Sequence, residues 1–186
     1  VKAGANGDCT SWATACELQT AIGNADSGDQ IWVAAGTYFP TATDDRYATF
    51  NLEYGVALYG GFPADGGNWE SRDWVNNPTI LSGDIGVIGN STDNVFSVVI
   101  GIGLNSNTIL DGFTITEGNA NGGEMYDRGG GLFNIGGNPT LSNIIFISNN
   151  ASQYGGGMCN DIGDPTLTNV TFSDNSSIRG GGMYNS

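Results

Sequence analysis

The sequence predicts an all-β chain folded as a parallel β-helix, a solenoid with coils of about 25 residues behind a short N-terminal capping helix. Three observations carry this expectation. First, Asn138-Pro-Thr-Leu-Ser-Asn-Ile-Ile-Phe146 is echoed by Asp164-Pro-Thr-Leu-Thr-Asn-Val-Thr-Phe172, with both prolines and both phenylalanines 26 residues apart. Second, Gly129-Gly-Gly-Leu-Phe-Asn134 recurs as Gly155-Gly-Gly-Met-Cys-Asn160 and as Gly180-Gly-Gly-Met-Tyr-Asn185, at spacings of 26 and 25. Third, a leucine followed two positions on by Gly or Asn occurs at Leu58, Leu81, Leu110, Leu141 and Leu167, 23, 29, 31 and 26 residues apart.

Composition agrees. The 186 residues include 31 glycines and only 13% charged residues, against roughly 7% and 25% in ordinary domains. The glycines cluster instead of keeping a Gly-X-Y period, which excludes collagen. A hydrophobic content of 39% excludes a disordered chain. What remains is a turn-rich β chain of one domain, with a cap over 1–29 and coils over 30–186.

The cap comes first. Ser11 can cap a helix over 11–24, where Trp12, Ala15, Leu18, Ala21 and Ile22 fall at helical spacing, with Glu17 near the first turn. Cys9 and Cys16 flank this segment. A disulfide between them is the favoured reading and implies an oxidising, extracellular or cell-surface setting; two buried thiols are the alternative. Gln30-Ile-Trp-Val-Ala-Ala-Gly-Thr-Tyr38 reads as the first strand. The chain opens at Val1 rather than methionine, so a processed product is expected.

The coils follow. In Leu167-Thr-Asn-Val-Thr-Phe172, Val170 and Phe172 alternate as in a strand, whereas Leu167 is out of phase with them. A bend at the Gly/Asn position restores a common inward face, because Gly and Asn enter the left-handed region readily. Gly60, Gly83, Gly112, Asn143 and Asn169 are therefore expected to form a corner column. Leu132, Met158 and Met183 should point inward, and Phe133, Cys159 and Tyr184 outward. Asn134, Asn160 and Asn185 should form a hydrogen-bonded ladder. The last coil stops in mid-repeat with no polar cap, an edge open to another copy of the chain or to further repeats of a longer one.

Partner classes are narrowed by charge. Nineteen acidic residues against five basic ones and no histidine give a net charge of −14, which repels phosphate backbones and makes a nucleic-acid partner unfavourable. No apolar run approaches the ~20 residues of a membrane span. Without histidine a zinc site or a catalytic triad lacks its usual members.

Several phrases together resemble bacterial secreted and surface proteins with right-handed parallel β-helix repeats, relatives of the pectate-lyase-like superfamily and of polymorphic outer-membrane protein repeats. They are Gly7-Asp-Cys-Thr-Ser-Trp12, the segment from Ser27 to Tyr38, Leu58-Tyr-Gly-Gly-Phe62, Arg72-Asp-Trp74, Pro78-Thr-Ile-Leu-Ser-Gly-Asp84, Leu110-Asp-Gly-Phe-Thr-Ile115 and the triple-glycine units. The resemblance implies a scaffold class of exported proteins. A lyase on such a fold would need clustered aspartates holding calcium beside a basic residue. The weak candidates are Asp161 with Asp164, and Glu124 and Asp127 beside Arg128, although Asp161 and Asp164 fit a solvated turn better. Trp69 and Trp74 lie in a polar loop, where their indoles can stack on sugar rings or fold back over the solenoid. Asn90, Asn150, Asn169 and Asn175 match the glycosylation sequon. The leading expectation is a structural or adhesive surface module without catalysis, associating end to end into a fibre. The alternative is a carbohydrate-active module, either a polysaccharide lyase or hydrolase or a sugar-binding surface.

Overall fold

The computed structural model describes all 186 residues as a chain of short strands with one α-helix. The strands fall into five successive groups. The first is β1 (Gln30–Ala34), β2 (Gly36–Tyr38) and β3 (Phe50–Asn51); the second is β4 (Ala57–Phe62), β5 (Thr79–Ser82) and β6 (Val99–Ile102). The third is β7 (Ile109–Asp111), β8 (Thr114–Thr116), β9 (Asn119–Ala120) and β10 (Leu132–Ile135). The fourth is β11 (Thr140–Ile147), β12 (Asn150–Ala151) and β13 (Met158–Asp161), and the fifth is β14 (Thr166–Ser173) and β15 (Met183–Asn185).

Every strand pair is parallel, and each joins a strand to its counterpart in a neighbouring group. An eight-stranded sheet holds β1, β4 and β7 on one side and β2, β5 and β8 on the other, bridged by the long β11, with β14 beyond it. A five-stranded sheet runs β3-β6-β10-β13-β15, and β9 pairs with β12. A core of 25 buried residues fills the interior. Leu58, Leu110 and Leu141 form one file of it, Leu81, Ile115 and Phe146 another, and Val99, Leu132 and Met158 a third.

Within β11 the side chains of Leu141, Ile144 and Phe146 are all buried although Leu141 and Ile144 are an odd step apart. The bend between them is Asn143, at φ 53°, and Asn169 (φ 52°) and Gly112 (φ 82°) occupy the same position in the neighbouring groups. An asparagine tolerates this left-handed conformation, and its side chain bonds along the column: Asn169 Nδ2 donates to Asn143 Oδ1 at 2.7 Å, and Asn143 Nδ2 to Asp111 Oδ1 at 2.8 Å.

Two members of the expected corner column lie elsewhere. In β4 the left-handed residue is Gly61 (φ 90°), not Gly60, and the pairing with β1 shifts there by one residue. Gly83 belongs to a different position altogether. Leu81 pairs with Ile115, while Leu58 pairs with Leu110, so Leu58 and Leu81 share one group. The loop 63–77 between β4 and β5 imitates the spacing of a full repeat. A second bend, unmarked by glycine or asparagine, closes the same sheet at Glu117, Ser148 and Asp174, each with φ between 53° and 61°.

The helix is shorter than its apolar pattern suggests. It spans Leu18–Asn24, with Glu17 at the N-cap position, and Ser11 lies outside it. Residues 14–16 are instead drawn into backbone pairing with the chain's first residues: Gly7 donates to Ala15 O (2.7 Å), Cys9 to Thr14 O (2.9 Å) and Lys2 to Cys16 O (3.2 Å). A disulfide between Cys9 and Cys16 clamps that pairing. These non-local constraints outweigh helix propensity, which is a weak prior. The helix buries Leu18, Ala21 and Ile22 on the core below β1, and the outer edge of β1 is covered by Val1, whose carbonyl accepts from Ala34 N at 3.0 Å.

Candidate functional site

The outer face of the eight-stranded sheet carries an aromatic surface at its N-terminal side. Trp32 on β1 and Tyr59 on β4 are register partners, so their rings stand side by side on one face. Phe62, fully buried at the end of β4, stacks on Trp32 with ring centroids 4.8 Å apart and planes at 11°, and touches Trp12 at 5.5 Å. The loop 63–77 then folds over these rings. It contains a 3₁₀ turn, Trp69–Ser71, capped by Asn68, whose side chain accepts from Ser71 N at 3.1 Å. The turn sets Trp69 against Tyr59 (5.0 Å), Trp32 (5.7 Å) and Phe62 (6.1 Å). Gly66, at φ 98°, lets the loop approach Trp12 so closely that a Cβ would collide with the indole ring.

Arg72 locks the loop to the sheet. Its Nε donates to Gly60 O at 2.6 Å, and one terminal nitrogen donates to Asp111 O at 2.9 Å and to Asp111 Oδ1 at 2.6 Å. The guanidinium also lies 5.2–5.5 Å from the rings of Tyr59, Trp69 and Trp74, within cation–π range. Burial, with Asp111 nearby, pushes the Tyr59 hydroxyl above its ordinary value. Of the two expected behaviours of Trp69 and Trp74, the structure shows the folding back over the sheet, with 44% and 39% of the residues exposed.

Beside this face runs a groove lined by Trp12 and Trp32 together with Thr10, Ser11, Asn24 and Gln30. It sits between the disulfide-bound loop, the C-terminal end of the helix and the start of β1. The indole N–H of Trp12 donates to Gly67 O at 2.7 Å and that of Trp32 to Gln30 Oε1 at 3.3 Å.

The acidic candidates behave differently. Arg128 Nε donates to Asp127 Oδ1 at 2.9 Å, and its terminal nitrogen lies 3.7 Å from Asp161, so Arg128 draws these two carboxylates to itself. Hydrogen bonding to Asp127 holds the guanidinium more firmly protonated than usual. Asp164 is exposed, and its backbone N–H donates to Asn138 Oδ1 at 2.7 Å. Glu124 is exposed on a 3₁₀ turn, Glu124–Asp127. No group of three or more carboxylates and thiols is arranged to hold a metal ion.

Phe133 and Cys159, expected to point outward, lie outside the core cluster but are buried all the same. They alternate with Leu132 and Met158 and so leave the core, but Arg128 and Tyr154 lie over them. The Arg128 guanidinium is 6.0 Å from the Phe133 ring and 5.2 Å from Tyr154, and Tyr154 packs on Tyr184 at 4.6 Å. Burial pushes the Cys159 thiol up to about 11, which makes it a poor nucleophile.

The asparagines are the most regular feature. Asn134 Nδ2 donates to Asn160 Oδ1 and Asn160 Nδ2 to Asn185 Oδ1, each at 2.6 Å. Asn134 and Asn160 also close the next turn by donating to Gly137 O and Gly163 O. Two further columns escaped the sequence reading. Asn149 donates to Asn175 Oδ1 at 3.0 Å, and Asn150 donates to Asn119 Oδ1 at 2.9 Å while accepting from Ser176 at 2.8 Å. Their signal was the 26-residue spacing of Asn149 to Asn175 and of Asn150 to Ser176, hidden because neither belongs to a repeated phrase. Three of the four sequon amide nitrogens, those of Asn150, Asn169 and Asn175, donate hydrogen bonds, and the Asn90 amide oxygen accepts from Thr92.

Compared with protein-family models, curated proteins and solved structures, the chain matches none.

Proposed function

We propose that the chain is a right-handed parallel β-helix module of an exported, cell-surface protein, and that its work is structural and adhesive rather than catalytic. The observation that carries this reading is the continuity of like-residue columns from group to group along the parallel pairings. Leu141, Ile144, Phe146 and Met158 are fully buried in the fourth group, whereas their partners Leu167, Val170, Phe172 and Met183 in the fifth are partly exposed. Phe146 and Phe172 stack at 5.0 Å with planes 7° apart, so a further ring at the same spacing extends the file. Parallel pairing of each strand with its counterpart in the next group supports the solenoid reading. A disulfide suits an oxidising compartment, and no helix is long and apolar enough to cross a membrane.

The two edges are unequal, which refines the expected fibre. The outer edge of β1 is taken by Val1 and the helix, so a second copy cannot add there as a simple continuation. Covering of β14 and β15 falls either to further repeats of a longer chain or to a second copy meeting edge to edge. The latter gives a closed pair rather than a filament. Sedimentation velocity over a wide concentration range tests this. A concentration-dependent dimer that Phe172→Asp abolishes is expected. A chain that stays monomeric throughout contradicts covering by a second copy, and open-ended filaments contradict the closed pair. The second reading, a sugar-contacting module, is favoured by the outward indoles of Trp69 and Trp74.

A further inference from the structure

We infer that the groove between Trp12 and Trp32 binds an uncharged oligosaccharide; this rests on the adhesive reading above and names the class of partner. The walls are aromatic and preset. Phe62 backs both rings, and both indole N–H groups are already donated within the protein, so Trp12 and Trp32 offer their apolar surfaces to the groove. An immobile ring loses little freedom on binding, which favours recognition through ring faces. The same groove is lined by hydroxyls (Thr10, Ser11) and amides (Asn24, Gln30). Such groups both donate and accept, as a ligand covered in hydroxyls requires. The combination of apolar planes with a few convergent polar groups is the usual make-up of a small-ligand site.

Charge selects within the glycans. Asp8 and Asp29 stand at the groove, and the whole chain carries a charge of −14, so uronates and sulfated sugars are repelled. The exposed ring of Trp69, 5.7 Å from Trp32, continues the aromatic surface beyond the groove mouth, which suits an oligomer better than a single sugar. The site is built by the disulfide-bound loop, the C-terminal end of the helix and the start of β1, and the loop 63–77 braces it from behind through Gly67, which accepts from the Trp12 indole.

The test is a titration of the intact chain, followed by tryptophan fluorescence and NMR shifts. The probes are soluble cello-, xylo-, manno- and chito-oligosaccharides, with polygalacturonate and a polylysine peptide as charged alternatives. At least one neutral oligosaccharide should bind saturably, with an affinity insensitive to salt. Trp32→Ala should weaken it by about tenfold or more, the size of one lost aromatic contact. Because Trp32→Ala can also disturb the packing on Phe62, Asn24→Arg provides a second variant: it fills the groove from an exposed helix end and should weaken binding equally. Val87→Ser, on a distant exposed loop, should change nothing. Saturation by polygalacturonate or polylysine alone, silence toward every neutral oligosaccharide, or full affinity in Asn24→Arg each overturns the inference. The scaffold reading stands or falls separately, on edge association, since the groove and the β14–β15 edge share no residue.

Discussion

Residues 129–186 and residues 1–128 use the same parallel pairings, yet they are held by different means. In the later region each stabilising group bonds to its own kind one repeat away: Asn134 to Asn160 to Asn185, Asn143 to Asn169, Phe146 on Phe172. The spacing changes by a single residue, from 26 to 25, so each repeat brings nearly the same contacts as the last. In the earlier region long loops separate the strands, and like residues seldom meet. A disulfide, a guanidinium among three aromatic rings and a layer of indoles hold it together instead. Regularity therefore supplies an extendable edge, and irregularity supplies the concave surface on which a ligand can be recognised.

The sharpest break in this comparison comes from the ladder. Asn160→Ala removes a fully buried amide that serves Asn134, Gly163 and Asn185. A loss of about 2–3 kcal/mol in urea unfolding is expected, since buried partners are left unsatisfied. Asn185→Ala, at the exposed end of the same ladder, should cost no more than about 0.5 kcal/mol. Equal costs would mean that the ladder does not draw its strength from burial.

Reduction of the disulfide probes the other region. Opening a cross-link with a sequence separation of 7 should cost about 2.5 kcal/mol by the loop-entropy model. The damage should be local: amide protection is lost around residues 1–16 and kept in β10 and β13. Loss of protection across both regions at once would show that the cap and the repeats unfold as one unit.

The same contrast explains what the sequence makes visible. The repeats from Gly129 onward were legible because phrases of like residues return at spacings of 26 and 25, and pairing follows spacing. Leu81 misled for the opposite reason: the loop 63–77 sets it 23 residues from Leu58, nearly a repeat length, although both lie in one group. The bends at Glu117, Ser148 and Asp174 left no trace, because glutamate and serine do not announce a left-handed backbone and Asp174, of a type that enters it more readily, has no like residue at the matching position. Alternation gave the side on which Phe133 and Cys159 lie but not that Arg128 and Tyr154 cover them. The groove was beyond reach as well. It needs Trp12 beside Trp32, brought together by Phe62 and by a helix that starts at Leu18, seven residues after Ser11, its expected cap.

Hydrogen exchange read by mass spectrometry as the protein is concentrated tests the central claim, one closed edge and one open, most directly. In dilute solution β10 and β13 should exchange slowly and β14 and β15 faster. On concentration, new protection should appear in β14 and β15 and nowhere in residues 1–38. Protection arising at residues 1–38 instead, or none at β14 and β15 at any concentration, would contradict it.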